Sequence, residues 1–163
     1  MLEVIHSPHR SKYLSQKQDI CPFCNIDKKD DEEKGVFFRA KFCYCIMNLY
    51  PYTPGHFMVI PYEHIANLSD LRDEVWLEMS LLVKKGELAL RKILKAQGVN
   101  LGMNLSDVAG AGIPTHLHYH LVPRYFGDTN FITTIAQTRI CGKDLNKLYL
   151  DLKQEADKFF TVS

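Results

Sequence analysis

The sequence lacks three features that would each point to a particular class of protein. Its apolar runs are far shorter than the roughly 20 residues that a membrane span needs. Lys and Arg number 20 against 19 Asp and Glu, so no basic excess marks a surface for a nucleic-acid polymer. Residues 1 to 6 show neither the basic flank nor the apolar stretch of a signal peptide. These absences predict a cytoplasmic protein of one domain, with no membrane partner and a small molecule as its ligand.

Cysteine is sparse, with five residues in a chain of 163. In a reducing compartment such a set predicts metal binding rather than a disulfide framework. Cys21 and Cys24 form a CxxC pair, a spacing at which two thiolates can hold one tetrahedral ion. A thioredoxin-type redox pair is the alternative, but residues 27 to 34 predict a charged, solvated loop rather than the helix that such a pair precedes. Cys43 and Cys45 lie two apart on a predicted strand and are expected to be buried.

Histidine, by contrast, is concentrated, because three of the seven histidines lie at positions 116, 118 and 120. A strand places alternate side chains on opposite faces of a sheet. Read as a strand, residues 116 to 122 therefore place His116, His118 and His120 on one face and direct the apolar residues between them into a core. Such a row of imidazoles can titrate, bind a metal or act as a nucleophile.

Elsewhere the pattern predicts both strands and helices. β-branched and aromatic residues predict strands over residues 36–39, 42–49, 56–60 and 99–105, and a short edge strand over 129–135. Apolar residues at helical spacing predict one helix that starts at Ser69 or Asp70 and ends near Gln97, and a second over 143–160. Between the fourth strand and the histidines lies a glycine-rich loop, residues 106–114, whose backbone could approach a phosphate closely.

Residues 116 to 122 resemble the signature of the histidine-triad (HIT) family, three histidines at alternate positions followed by two apolar residues. Asn48, the Pro-Gly-His of residues 54–56, the Pro-Tyr-Glu-His of 61–64 and the loop 109–114 follow in family order and spacing, so the resemblance covers about residues 20 to 160. It is greatest for the fragile-histidine-triad and diadenosine-polyphosphate branch. Residues 124 to 131 are similar to its bacterial hydrolases and phosphorylases, and Asn48 stands where the nucleotide-binding branch usually has Asp.

The resemblance implies an α+β fold with an antiparallel sheet of about five strands and two main helices. It also implies a homodimer in which the two sheets join and residues 125–131 approach the partner's active site. We divide the single domain, residues 1–163, into an N-terminal extension (1–20), a zinc knuckle (21–34), a core (35–124) and a C-terminal loop and helix (125–163).

The family chemistry implies that His118 is the nucleophile. A neutral imidazole, with a pKa near 6.5, attacks phosphorus and later leaves readily. One ring N–H of His118 is expected to donate to a backbone carbonyl, which leaves the other nitrogen for the attack. His120 and His56 are expected to bind the α-phosphate oxygens. The implied nucleotide contacts are Asn48 at the ribose, Asn104 at a phosphate or leaving group, and the backbone N–H groups of Ala111, Gly112 and Ile113.

Zinc-bearing relatives take their ligands from a CxxC pair, a histidine after a Pro-x-x turn, and the first histidine of the triad. Carried over to this chain, the ligands are Cys21, Cys24, His64 and His116. Two thiolates and two imidazoles make a closed tetrahedral site, which is typical of structural zinc rather than catalytic zinc.

The sequence therefore predicts a nucleotide hydrolase or transferase that cleaves dinucleoside polyphosphates at the α-phosphate through a nucleotidyl-histidine intermediate. The alternatives are a phosphorolytic diadenosine tetraphosphate phosphorylase and a hydrolase of AMP phosphoramidates. Two readings without catalysis remain, a nucleotide-binding regulator and a zinc-binding module. The 39 residues between Cys24 and His64, and the two histidines that zinc would not use, count against the module.

Overall fold

The computed structural model describes residues 21–128 and 144–160. Within these residues the chain forms one five-stranded antiparallel sheet, as predicted, and its strand order is β1-β2-β3-β5-β4. Its strands are β1 (Val36–Arg39), β2 (Cys43–Met47), β3 (Phe57–Pro61), β4 (Gly98–Gly102) and β5 (Tyr119–Arg124). The predicted extension 1–20 and the edge strand 129–135 lie outside the described residues.

The described residues include three α-helices: α1 (Asp31–Lys34), α2 (Asp73–Lys92) and α3 (Leu145–Phe160). The long helix α2 begins later than predicted, because Leu68–Asp70 form a separate 3-10 turn and Leu71 is extended, which interrupts the helical hydrogen bonds. Arg72 is its N-cap residue, and neither Ser69 nor Asp70 caps it. Among the described helices, none combines the length and the apolar character that crossing a membrane requires.

Helices α2 and α3 cover one face of the sheet and form the main core with it. Gly86 allows α2 to approach closely, since a Cβ there would lie 2.7 Å from Leu121 and 2.8 Å from Phe57. Phe160 is fully buried at the end of α3 and packs edge-on against Phe37 and Phe57. Cys43 and Cys45 are fully buried, as predicted. The opposite face of the sheet carries a second, smaller hydrophobic cluster, which consists of Phe23, Val36, Tyr44, Ile46, Met58 and Ile60. His120 lies on this face, opposite Met58.

The charged stretch of residues 27–34 is helical rather than the predicted loop. A 3-10 turn at Lys28–Asp30 continues into α1, which Gly35 ends with a left-handed φ of 78°. Arg39 of β1 fixes this segment, because it donates to both carboxylate oxygens of Asp31 and to the Ile26 carbonyl. The stretch is therefore fastened to the sheet, next to the CxxC pair.

Candidate functional site

The alternation predicted for residues 116–122 is present, although the strand is shorter than predicted. Leu117 and Leu121 are buried in the helix-covered core, whereas His118 and His120 belong to the opposite face. The strand β5 begins only at Tyr119. Its neighbour β3 pairs with it through Phe57–Val59, and this ladder does not continue to residues 116–118. A single bond from the Leu117 N–H to the Ile65 carbonyl, at 2.7 Å, holds the extended chain there.

Cys21, Cys24, His64 and His116 converge at the start of this segment, and their potential ligand atoms all lie within 4.8 Å of one another. Nδ1 of His116 is 3.4 Å from Sγ of Cys21 and 3.5 Å from Sγ of Cys24, and Nδ1 of His64 is 3.2 Å from Sγ of Cys24. Tetrahedral zinc, with bonds of about 2.0 to 2.3 Å, separates its ligand atoms by roughly 3.3 to 3.8 Å. The cluster could therefore hold a metal ion.

Backbone hydrogen bonds orient the cluster. Nε2 of His116 donates to the Pro61 carbonyl at 3.0 Å, which fixes the ring and leaves Nδ1 as the ligand atom. The CxxC turn is closed by a bond from the Cys24 N–H to the Cys21 carbonyl, and the Tyr44 hydroxyl donates to the Phe23 carbonyl at 2.8 Å. Burial and the neighbouring Cys21 raise the pKa of the Cys24 thiol. A bound cation would oppose that shift by stabilising the thiolates.

His118 is buried, and a backbone acceptor fixes its tautomer. Its Nδ1 lies 2.8 Å from the carbonyl oxygen of His116, which can only accept, so Nδ1 carries the proton and Nε2 carries a lone pair. Burial lowers the pKa of His118 below the usual value, which favours the neutral ring at pH 7. Phe23 packs against this ring, with the centroids 5.3 Å apart. His118 is thus a preoriented neutral imidazole, as the sequence predicted.

His56 and His120 form a second oriented pair. The Tyr52 N–H donates to Nδ1 of His56 at 3.1 Å, so the proton of His56 lies on Nε2, which is 2.9 Å from Nδ1 of His120. His120 accepts that proton at Nδ1 and, when neutral, carries its own hydrogen on Nε2. Burial, with His120 and His118 nearby, lowers the pKa of His56 to about 3. His56 is fully buried behind His120.

The predicted nucleotide contacts lie in two places. Asn48 follows β2, and its amide oxygen accepts from the Tyr50 N–H at 2.9 Å. Its amide nitrogen lies 3.4 Å from Nε2 of His56 and 3.7 Å from the sulfur of Met58. Asn104 follows β4 and donates to the Gly110 carbonyl at 3.3 Å.

The glycine-rich loop turns at Gly110, where φ is 89°. The Ala111 N–H is used within the loop, because it donates to the Ser106 carbonyl at 3.2 Å. Of the three predicted backbone donors, Gly112 and Ile113 therefore suit a ligand better than Ala111.

A cavity of about 450 Å³ opens beside His120. Its lining consists of parts of β4 and β5 and the loop before β3: Tyr52, Thr53, Asn100, Leu101, Gly102, Met103, Asn104, His120, Val122 and Arg124. Of the predicted nucleotide contacts Asn104 lines it, whereas Asn48 does not.

Comparison with known proteins agrees with the arrangement of the histidines. Residues 29–127 match the model of the HIT domain. The chain belongs to the HIT domain family. It is 38% identical over 149 residues to the AP-4-A phosphorylase of Mycobacterium tuberculosis, an alignment that covers 85% of this chain and 76% of the relative. It is 36% identical over 131 residues to a bis(5'-adenosyl)-triphosphatase of Saccharomyces cerevisiae, with 78% and 61% covered.

Among solved structures, a zinc-bound histidine triad family protein from Mycobacterium smegmatis matches with a TM-score of 0.62 and 26% identity. The match covers 76% of this chain and 84% of that protein. It supports the HIT fold of the described sheet.

Several residues of this HIT domain had been given no role in the site from the sequence alone. Tyr52 contributes a backbone N–H to His56 and stacks its ring on that histidine at 4.7 Å. Asn100 and Arg124 line the cavity, and Pro61 orients His116 through its carbonyl. Tyr52 and Pro61 act here through the backbone, which no side-chain motif reveals. Asn100 could have been found from its place on the face of β4 that adjoins His120 and Val122.

Proposed function

We propose that this HIT protein cleaves dinucleoside polyphosphates at an α-phosphate through a covalent nucleotidyl-His118 intermediate. The observation that carries the proposal is the bond from Nδ1 of His118 to the His116 carbonyl, which leaves the lone pair on Nε2 for the attack. The names of the two enzyme relatives, a phosphorylase and a triphosphatase of adenine dinucleotides, support this substrate class.

In the first step Nε2 of His118 attacks the α-phosphorus, the N–P bond forms, and the P–O bond to the remaining phosphates breaks with its electron pair on the leaving oxygen. The N–H on Nε2 of His120 donates to a phosphate oxygen, where negative charge increases in the transition state. We assign His56 a positioning role, because its Nε2 hydrogen sets the tautomer of His120 and its ring is fully buried. Gly112 and Ile113 add backbone N–H groups, Asn104 contacts a phosphate, and Asn48 binds the ribose.

In the second step water or inorganic phosphate attacks the same phosphorus and releases His118. Phosphorolysis is the favoured version, since the 38% identical relative is named a phosphorylase. Product analysis with diadenosine tetraphosphate tests both steps. ADP that appears only when phosphate is added means phosphorylase, and AMP with ATP in its absence means hydrolase. Absence of products under both conditions would contradict the proposal and favour a regulator that only binds nucleotides.

We further propose that the Cys/His cluster holds structural zinc through Cys21, Cys24, His64 and His116. The ligand distances and the zinc-bound relative support this assignment. When bound, the ion joins the CxxC loop to the start of the histidine segment, and no step of the reaction passes through it. Elemental analysis of protein purified under reducing conditions should give about one zinc per chain, and a clearly lower value would contradict the assignment.

The protein is proposed to act as a cytoplasmic homodimer. The position of β4 supports this, because it lies at an edge of the sheet that the described strands form, where a second copy could pair with it. Leu101 of β4 is 44% exposed and lies beside the partly exposed Trp76 of α2 in a common groove. Residues 125–128 follow β5, and 129–131 lie outside the described residues. Sedimentation of the wild type and of a Leu101→Lys variant should show a dimer and a weakened dimer, respectively.

A further inference from the structure

The cavity beside His120 is a trough with a regular construction. His120, Val122 and Arg124 alternate along β5 and form its floor, which spans about 13 Å. On β4, Gly102 lies opposite His120 and Asn100 lies opposite Val122, so these positions share the same face of the sheet. The trough therefore begins at the histidine that contacts phosphate and runs away from it.

The position of the trough separates it from the proposed ribose contact. In the strand order β2-β3-β5-β4, Asn48 follows β2, whereas the trough lies between β5 and β4. His120 lies on β5, between these two regions. A dinucleotide whose α-phosphate lies at His120 can therefore extend in both directions, with one nucleoside toward Asn48 and the rest of the molecule in the trough.

The near end of the trough suits phosphates. Gly102 has no side chain, and a Cβ there would meet no atom within 4 Å, so space is open directly opposite His120. The Asn104 side chain lines the same cavity. None of the described residues that line the trough is acidic, so no lining carboxylate repels a polyphosphate chain.

The far end suits a nucleoside. Three hydrogen bonds fix the orientation of the Arg124 guanidinium. Its Nε and Nη2 donate to Asp128 at 2.6 and 3.0 Å, and its Nη1 donates to the Asn100 amide oxygen at 3.0 Å. Asp128 balances its charge, which leaves the planar face of the guanidinium as a stacking surface for a base. Because the amide oxygen of Asn100 accepts from Arg124, the amide nitrogen of Asn100 can donate to a ligand. Val122 adds an apolar surface to the floor of the trough. The volume of about 450 Å³ is that of a typical ligand site.

We propose that this trough binds the leaving nucleotide, that is, the nucleoside polyphosphate expelled when His118 attacks the α-phosphate. The inference rests on the proposed function and adds a second nucleotide subsite to it. It makes the trough the part of the molecule that distinguishes a dinucleotide from a mononucleotide, since AMP or an AMP phosphoramidate has nothing to place there.

Gly102→Val adds bulk at the near end of the trough, where a Cβ would meet no described atom within 4 Å, and Val suits a strand. Val99→Ile is its control on the same strand, because Val99 packs against the helix-covered core and does not line the cavity. Asn100→Leu is a second test variant, which keeps the side-chain volume and removes the amide. Thermal unfolding confirms that each variant folds.

Calorimetry should compare a methylene-bridged, non-cleavable diadenosine tetraphosphate with AMP. The ratio of the two dissociation constants should rise about tenfold in Gly102→Val and roughly threefold or more in Asn100→Leu, with no change in Val99→Ile. An equal loss of affinity for both ligands, or an unchanged ratio, would overturn the subsite. Because binding is measured without turnover, this result is separate from the product analysis, whose failure alone would leave the subsite standing and refute the catalytic proposal.

Discussion

The Cys/His cluster lies next to the catalytic group formed by His56, His118 and His120. Both contain histidines, yet the two regions use the ring nitrogens in opposite ways. In the cluster, Nε2 of His116 is bonded to the Pro61 carbonyl, and Nδ1 faces two thiols. In the catalytic group, Nδ1 of His118 is bonded to the His116 carbonyl, and Nε2 carries the lone pair. Two residues of the same type, two positions apart, thus offer different nitrogens, because each backbone acceptor binds a different edge of the ring.

The ring nitrogen that is not bonded to the backbone therefore decides what each imidazole can do. His56 extends the rule, since its Nδ1 accepts the Tyr52 N–H and its Nε2 therefore donates to His120. The two regions are also joined. The peptide carbonyl of a proposed metal ligand orients the proposed nucleophile, and Phe23 contacts both rings, with centroid distances of 5.6 and 5.3 Å. Mutations in the Cys/His cluster and in the catalytic histidines show whether metal binding and turnover can be lost independently.

The largest expected effect comes from removing the nucleophile. His118→Ala should lower turnover of diadenosine tetraphosphate by about 10⁴-fold or more, because the covalent step loses its attacking atom. Zinc content should stay at that of the wild type, and the free energy of unfolding should fall by only about 1 kcal/mol. Retention of substantial turnover would refute the assignment of the nucleophile. Loss of zinc in this variant would show that the two regions cannot be separated.

The next effect concerns the cluster. His116→Ala and Cys24→Ser should each remove a ligand and lower the free energy of unfolding by about 3 kcal/mol, the stabilisation expected from free metal at more than 100 times its Kd. Urea unfolding with and without a chelator measures it. The chelator should destabilise the wild type and leave Cys24→Ser unaffected. If it changes neither protein, the cluster carries no stabilising metal.

The smallest effect is the acid sensitivity that the buried His56 contributes. Its pKa of about 3 in the folded protein is below the value of about 6.5 in the unfolded chain. Between these values only the unfolded chain binds the proton, so stability falls as the pH decreases from 6.5, by up to about 1.4 kcal/mol per pH unit. His56→Asn, which keeps an acceptor for the Tyr52 N–H, should remove that contribution from the slope. An unchanged slope of unfolding free energy between pH 6.5 and 4.5 would contradict the burial of a neutral His56.

The elements that sequence reasoning misplaced show where local patterns stop being sufficient. The start of α2 was predicted at Ser69 or Asp70, but Leu71 is extended and buried, so its packing interrupts a helix that local propensity allows. The charged stretch 27–34 became helical because Arg39, which lies on β1, binds Asp31 and the Ile26 carbonyl. In both places a contact with another part of the chain prevailed over the local preference.

The sequence by itself determined the family, the sheet face that carries the histidines, and the CxxC pair, because these depend on spacing along a single segment. The tertiary structure alone brought Cys21 to His116, 95 positions away, and Cys24 to His64, 40 positions away. It also decided which nitrogen each histidine presents and where the trough lies. Those outcomes depend on the backbone groups of Tyr52 and Pro61 and on the register of β4 against β5, since a hydrogen bond forms only where folding brings its partners together.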